Sequence, residues 1–324
     1  MRRLNQHRLF KCFFSLTLMM FAGFVAESQA QKDKKAMLPD FDGLWNFGDP
    51  AGTETKFREI LAEPDTVSDA DYVVELETQI ARTLGLQRKF EEAHAVLDSI
   101  EAKISTTSPR AQIRYLLEWG RVLNSSGKKK DSESFFLDAL KLAEESGEEN
   151  LAVDAAHMMG IVTSPDQQID WSSKAIKMAE VATDEKARKW LGSLYNNTAW
   201  SLHDLKRYEE AMEYFQSALT YETELGREKR IRIAKWAVGR CKRSLGQLDG
   251  ALAVQQALLE EYEFLDGTDG YVLEEIAECL HAQGIESDAE PWFAKAYEEL
   301  AKDEWLVANE SERLDRLKSL GRVK

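Results

Sequence analysis

The sequence is poor in the residues and motifs that mark a catalytic or metal site. It has three cysteines and five histidines among 324 residues. No His-Glu-x-x-His, no Gly-x-Ser-x-Gly and no pair of Cys-x-x-Cys motifs occurs, so the local signatures of zinc proteases, serine hydrolases and zinc ribbons are missing. The four histidines beyond the first thirty residues are too scattered to form a local metal motif. The sequence therefore predicts no enzymatic activity, no cofactor and no metal site.

The sequence also lacks an apolar run long enough to cross a bilayer as a helix. Its one apolar run, from Cys12 to Ala26, is fifteen residues long, whereas a spanning helix needs about twenty. Basic residues precede this run, and Ser28-Gln29-Ala30 follows it, a pattern typical of a cleaved export signal. Residues 1–30 are thus predicted to be a signal peptide, with a retained N-terminal anchor as the alternative. The mature chain is expected to be periplasmic or secreted, with no stable membrane insertion.

Positive charge is scarce once the predicted signal is removed. The whole chain carries a net charge of −15, and residues 1–30 contribute four basic residues and one acid, so the mature chain has a net charge of −18. Such a charge repels nucleic acid and anionic lipid over a Debye length of about 8 Å. Nucleic acid is therefore not an expected partner.

Two cysteines, Cys241 and Cys279, lie beyond the predicted signal. Both fall at the same place in neighbouring repeats, described below, where packed helices lie roughly 8–10 Å apart. A disulfide needs Cα atoms within about 7 Å. We expect two small buried thiols, and a disulfide is the alternative.

An internal repeat is clearest between Tyr195 and Leu219. Its first half places Thr198, Ala199 and Leu202 on one face of a helix, and its second half does the same with Ala211 and Phe215. The break between the halves, at Lys206-Arg207, is short. Two amphipathic helices joined by so short a turn fold back antiparallel and bury their apolar stripes against each other.

The same pattern recurs six times at intervals of 36 to 43 residues. A small residue of the first helix recurs at Ala81, Gly120, Ala156, Ala199, Gly239 and Ala277. A small or equivalent residue of the second helix recurs at Ala93, Ser132, Gln168, Ala211, Ala251 and Ala289. A bulky residue follows at Leu97, Phe136, Phe215 and Phe293, and is replaced by Ser172 and Gln255 in two units.

This pattern resembles the tetratricopeptide repeat family, in which each unit is a helix–turn–helix. The stretches that carry the resemblance are Tyr208 to Ala218 and Gly284 to Ala296. The resemblance implies an all-α fold, a right-handed α-solenoid of about six antiparallel helix pairs over residues 68–301. The sequence does not decide whether the irregular repeat around Gln168 continues the stack or breaks it.

The ends of the repeat array are predicted to be capped. Residues 31–44 show no periodicity and are predicted to be a flexible lead-in. Residues 45–67 are predicted to contain a capping helix, because Asp49-Pro50 is a typical helix start. Residues 302–324 are predicted to form a C-terminal capping helix whose apolar stripe is Leu314 and Leu317. A solenoid needs such polar outer faces to prevent further stacking.

One basic stretch, Gly226 to Arg243, stands out in this acidic chain, with eight basic residues and one acid. In the family that the chain resembles, first helices line a concave groove, and the residue after the small residue points into it. The groove residues so implied are Asn196, Trp200, His203, Trp236, Arg240 and Arg243. Arginine binds carboxylates by forked hydrogen bonds and tryptophan supplies apolar area. These residues are therefore predicted to hold an acidic, extended segment of a partner protein.

The alternative for this stretch is a solvated face. In that case its arginines balance acids of the next helix, such as Glu274 and Glu278, and Trp236 packs between repeats. For the whole chain, the first hypothesis is a non-catalytic scaffold that binds an envelope or secreted protein. The second is a self-associating structural subunit of a larger assembly. An enzyme with groups assembled from distant repeats is the third.

Overall fold

The computed structural model describes residues 38–64 and 68–324, apart from the side chain of Asp166. The predicted signal, residues 1–30, and residues 31–37 lie outside the described residues. Within the described ranges the regular structure is helical and no strand occurs. None of the helices described is both long and apolar enough to span a membrane. The all-α prediction is confirmed.

A 3₁₀ helix, Phe41–Leu44, precedes the first α-helix. The first half of the chain has α1 (Pro50–Ala62), α2 (Ala70–Leu86), α3 (Phe90–Ile104), α4 (Pro109–Ser125) and α5 (Lys129–Ser146). The second half has α6 (Glu149–Val162), α7 (Pro165–Val181), α8 (Glu185–Arg188), α9 (Leu191–Asp204), α10 (Tyr208–Glu224), α11 (Glu228–Ser244), α12 (Leu248–Phe264), α13 (Gly270–Ala282), α14 (Glu286–Leu300), α15 (Glu304–Asn309) and α16 (Ser311–Leu320).

The chain forms two compact units, of which the first ends at Ser146 and the second begins at Gly147. Unit 1 contains the antiparallel pairs α2–α3 and α4–α5, and α2 also packs on α4. Unit 2 contains the pairs α6–α7, α9–α10, α11–α12 and α13–α14. The six predicted helix pairs are therefore present, and stacked pairs of this kind are the tetratricopeptide-type solenoid that the sequence predicts.

In pairs that have a bulky apolar residue at the repeated position, this side chain of the second helix sits on the small residue of the first. A Cβ atom added to Gly120 would lie 2.5 Å from the ring of Phe136, and Phe136 is fully buried. The ring of Phe215 and the methyl group of Ala199 are likewise fully buried in one cluster. The small residue is needed because a larger one would force the two helices apart.

The irregular repeat around Gln168 contains no break between its helices. α6 packs on α7, and α7 packs on α9. Its longer spacing comes from the added short helix α8 and the turn before α9. Trp190, in that turn, donates from Nε1 to Oδ1 of Asn150 over 2.9 Å. The extra residues therefore form a structured link within unit 2.

Both predicted ends differ from the sequence-based expectation in detail. Residues 38–44, predicted as part of a flexible lead-in, include the 3₁₀ helix, and Phe41 within it is buried. That part of the prediction is wrong, because one aromatic residue needs no periodicity to enter a core. α1 begins at Pro50, and Asp49 caps it by accepting from Gly52 N at 2.9 Å. The C-terminal cap is two short helices, with Leu314 and Leu317 buried as predicted.

Cys241 and Cys279 are both free and fully buried. Burial raises the pKa of Cys241 to about 11 and that of Cys279 to about 12. Both therefore remain protonated thiols at neutral pH and pack as small apolar residues. The expectation of two free thiols is confirmed.

Candidate functional site

The first helices of three successive pairs in unit 2 bring most of the predicted groove residues around one cavity. Its volume is about 450 Å³. α9 and α11 contribute the residues that the sequence singled out, and α13 and α16 contribute a set of charged residues. The lining residues are Trp200, Trp236, Arg240, Arg243, Glu274, Glu275, Glu278, Arg313 and Arg316. We call this space the unit 2 cavity.

Two tryptophans form its apolar part. The rings of Trp200 and Trp236 lie 5.8 Å apart between centroids, and both side chains are half-buried. Trp200 also packs edge-on against Phe215 at 4.9 Å, which fixes its ring on the underlying helix pair. Trp236 donates from Nε1 to the carbonyl of Tyr271 over 3.1 Å. The indoles are thus held rigidly and present apolar area at low entropic cost.

The arginines of α11 are paired with a buried carboxylate. Arg243 donates two hydrogen bonds to Glu275, over 2.8 and 2.9 Å. Arg240 contacts the same carboxylate through Nε at 3.1 Å. Arg243 has 18% of its side chain exposed and Arg240 has 30%. Arg243 is therefore part of the internal support of the cavity, whereas Arg240 lies nearer to solvent.

A second layer of arginines comes from the C-terminal helix α16. Arg313 forms a forked pair with Glu274, with Nε 3.0 Å from Oε1. Arg316 pairs with Glu278 in the same way, with Nη2 3.2 Å from Oε2. The carboxylates of α13 thus lie between arginines of α11 and arginines of α16. The cavity carries both signs of charge, rather than the uniformly cationic strip that the sequence suggests.

Burial and charge oppose each other at Glu275, whose side chain is only 5% exposed. Burial raises the pKa of Glu275 to about 7, although Arg243 acts to lower it. Burial lowers the pKa of Arg243, but the charge and hydrogen bonds of Glu275, together with the charge of Glu278, leave that pKa raised. This carboxyl group can therefore gain or lose its proton near neutral pH.

The remaining two predicted groove residues lie elsewhere. Asn196 lines a separate cavity of about 350 Å³, together with Glu222, Arg230 and Ile233. The ring of His203 lies 5.3 Å from that of Trp200, and its Nε2 hydrogen-bonds to Ser244 Oγ over 2.8 Å. Burial lowers the pKa of His203, and Arg243 adds to this effect. His203 is thus a neutral residue that supports Trp200.

Sequence reasoning missed Arg313, Arg316 and Glu275. The two arginines were assigned to a polar outer cap, because Leu314 and Leu317 define the buried stripe and the rest of the helix is charged. Their spacing of three residues places both on one side of α16, and this was the available signal. Glu275 follows Glu274 directly in sequence. The repeat spacing places Glu274 and Glu278 on the groove face of this helix, but it does not place Glu275 there.

No group of three or more histidine, cysteine, aspartate or glutamate side chains among the described residues is arranged to hold a metal ion. Most of the charged residues of the unit 2 cavity form ion pairs with one another. Arranged in this way, they provide forked hydrogen-bond donors beside flat apolar surfaces. Such a surface suits the recognition of a carboxylate-bearing chain.

Comparisons with known proteins agree on the type of fold. Residues 192–224, which contain the whole of the clearest repeat, match the tetratricopeptide repeat family model. A comparison with curated protein sequences gives no match.

Several solved structures are similar over most of the chain. One is a STAND-class signal-transduction ATPase with a tetratricopeptide repeat sensor from Pyrococcus horikoshii, with a TM-score of 0.66 and 18% identity. The match covers 83% of this chain but only 42% of that protein. The apo form of RapI has a TM-score of 0.66 at 16% identity, covering 86% of this chain and 77% of RapI.

The apo form of the quorum sensor NprR from B. thuringiensis has a TM-score of 0.59 at 16% identity, and the match covers 89% of this chain and 82% of NprR. At such identities the likeness concerns the fold alone. The helix pairs, the buried small residues and the matched repeat lead to the same assignment. The described helix pairs have a tetratricopeptide-type repeat fold, and residues 192–224 match the family model.

Proposed function

We propose that the protein is a non-catalytic scaffold whose unit 2 cavity binds an extended, acidic segment of another protein. The observation that carries this proposal is the joining of two rigid tryptophans and four arginines around one cavity of about 450 Å³. Tryptophan and arginine are the residues that most often dominate the free energy of protein binding. Three successive first helices and α16 hold them in place.

The binding mode follows from how the arginines are already paired. Arg316 has 48% of its side chain exposed and Arg240 has 30%, so both have room for a further contact on their solvent side. A carboxylate of the partner shares these guanidinium groups with Glu278 and Glu275. Apolar side chains of the partner then pack on Trp200 and Trp236.

The comparisons support a binding role in a general way. The STAND-class ATPase is described as having a tetratricopeptide repeat sensor, and NprR is described as a quorum sensor. The partner is proposed to be an envelope or secreted protein, on the basis of the predicted signal in residues 1–30. The net charge of −18 for the mature chain is the reason that we propose no nucleic-acid partner.

The test is affinity capture from the native envelope fraction, with the mature protein from Gln31 onward as bait. Arg240→Met removes the more exposed of the two α11 arginines that line the cavity. Arg243 is left intact because its pairing with buried Glu275 is structural. Arg207→Met is the matched control, since Arg207 pairs with Glu210 on an exposed surface. Partner capture lost from Arg240→Met and retained by Arg207→Met supports the proposal.

Two other outcomes contradict it. A partner retained equally by both variants means that binding uses another surface. Capture of the protein itself alone, with a mass that rises with concentration, favours the self-associating structural subunit. If the proposal is right, partner binding is also expected to weaken at high salt, because the contacts are ionic and partly exposed.

A further inference from the structure

The N-terminal segment, Leu38–Phe47, lies across the first helices of unit 1. Tyr72 of α2 donates to the carbonyl of Pro39 over 2.7 Å. Gln79, two turns further along α2, accepts from Nε1 of Trp45 over 3.1 Å. The segment therefore follows the same helix face along which the sequence places groove residues. It makes these contacts through backbone and side-chain groups, as a bound peptide does.

Arginines of unit 1 bind the acidic and aromatic groups of this segment. Arg114 of α4 donates to both carboxylate oxygens of Asp42, each over 2.8 Å. Its guanidinium carbon also lies 5.4 Å from the ring of Phe41. Arg114 is 7% exposed and Asp42 has 30% of its side chain exposed, so this charge-assisted pair is partly removed from water. Nε of Arg114 also lies 3.0 Å from Oε2 of buried Glu75.

The last part of the segment is held by cation–π contacts. The guanidinium carbon of Arg82 lies 5.7 Å from the ring of Trp45 and 5.5 Å from the ring of Phe47. The rings of Trp45 and Phe47 stack at 4.8 Å. Arg82 occupies the position directly after the small residue Ala81, which is the groove position of this repeat. The contacts of Arg114 and Arg82 with the segment thus fall on the inner face of the first helices.

We infer that the inner face of α2 and α4 is a peptide-binding groove, occupied in this structure by the chain's own N-terminal segment. Its ligand class is a segment that forms a 3₁₀ turn, as Phe41–Leu44 does, in which an aromatic residue precedes an acid and a tryptophan follows three residues after the acid. A partner protein that carries such a segment displaces Leu38–Phe47. This groove lies within unit 1, whereas the proposed function rests on the unit 2 cavity. An experiment can therefore refute either proposal and leave the other standing.

The tethered segment competes with any partner, because an intramolecular ligand acts at an effective concentration in the millimolar range. Loosening it should therefore expose the groove. Asp42→Asn with Trp45→Ala removes the anion and the indole that hold the segment, so that an added peptide can displace it more readily. The probe is a fluorescein-labelled synthetic peptide with the sequence of Leu38 to Gly48, and fluorescence anisotropy measures its binding to the mature protein.

The loosened variant is expected to bind this peptide at least tenfold more tightly than the native protein does. Adding Arg114→Met, or the milder Arg82→Met, is expected to reverse that gain. Arg207→Met, at an exposed ion pair outside both sites, should leave it unchanged. A peptide that carries the two substitutions itself is the matched control and should not bind. Equal binding by the native and loosened proteins overturns the inference.

Hydrogen exchange provides a second test that does not depend on the peptide. In the loosened variant, amides of residues 41–47 should exchange faster while those of α2 and α4 keep their protection. If α2 and α4 lose protection together with the segment, Leu38–Phe47 is a structural cap and the inference fails. If the native protein instead forms a dimer as its concentration rises, and Arg114→Met abolishes that dimer, the groove holds the segment of a second copy. That result would contradict the inference.

Discussion

The two units present the same helix face in two different states. In unit 1 the first helices are covered by a segment of the chain itself, and Asp42 of that segment pairs with Arg114 of α4. In unit 2 the equivalent face forms a cavity, and its charges are balanced across three helices through Glu275 and its neighbours. One repeat scaffold therefore carries both a first-helix face that a tethered segment covers and a first-helix face that lines a cavity. The difference lies in what covers the face.

The first prediction concerns what the units share. Phe136→Ala in unit 1 and Phe215→Ala in unit 2 each remove a fully buried ring that sits on a small residue. Each is expected to lower the free energy of unfolding by about 3–5 kcal/mol, as measured by urea denaturation. Similar losses would show that the helix pairs are equivalent. A loss below about 1 kcal/mol at either site would show that its ring is not part of a tight core.

The second prediction sharpens the contrast between the arginines. Arg114→Met removes a buried guanidinium that lies 3.0 Å from the buried carboxylate of Glu75 and also binds Asp42, and it is expected to cost about 2–3 kcal/mol. Arg240→Met, at a side chain 30% exposed, is expected to cost less than about 1 kcal/mol. The measurement is urea denaturation of both variants beside the native protein. Equal costs would remove the distinction between a closed face and an open one.

The third prediction uses pH and concerns unit 2. The folded-state pKa of Glu275, about 7, lies above its ordinary value of 4.5. Its contribution to stability is therefore complete below about pH 4.5 and is lost as the pH rises through about 7.

Glu275→Gln should remove this component. The native protein is expected to lose more stability between pH 5 and pH 8 than the variant does, by on the order of 2 kcal/mol. Urea denaturation at both pH values gives the difference, with Glu286→Gln, at an exposed carboxylate, as the control. A variant that loses as much as the native protein contradicts the role given to Glu275.

The smallest expected effect is at Gln255, which occupies a buried position where most repeats have a bulky apolar residue. Its Nε2 donates to the carbonyl of Trp236 over 3.1 Å, while its Oε1 has no partner among the described residues. Gln255→Leu is expected to stabilise unit 2 by about 1 kcal/mol, because the unpaired oxygen is removed. Differential scanning calorimetry would show a raised Tm. A lowered Tm would mean that the single hydrogen bond matters more than the unpaired atom.

The fold was predictable because its determinants are local and repeated. Small residues such as Ala199 and Gly239 and large ones such as Phe215 recur at a fixed spacing, and each is buried as that spacing requires. Helix starts were predictable where a capping residue and proline coincide, as at Asp49-Pro50. Trp200, Trp236, Arg240 and Arg243 were placed together for the same reason, since they share one register on successive first helices.

The parts that escaped prediction depend on contacts between distant residues. Phe41 enters the core from a segment without periodicity, and its burial depends on Arg114 and Tyr72, which lie far along the chain. Arg313 meets Glu274 across 39 residues, so the sequence alone does not reveal that the cap helix closes the cavity. The spacing of the repeats does not predict ion pairs with residues outside the repeats, such as Arg313.

The central claim is that the first-helix face of unit 2 is the open binding face. Its most direct test is hydrogen exchange on the captured complex. The account predicts that the partner adds protection to the amides of α9, α11 and α13, while the amides of the second helices α10, α12 and α14 are unchanged. Protection added only to the second helices, or no added protection anywhere in unit 2, would contradict the account.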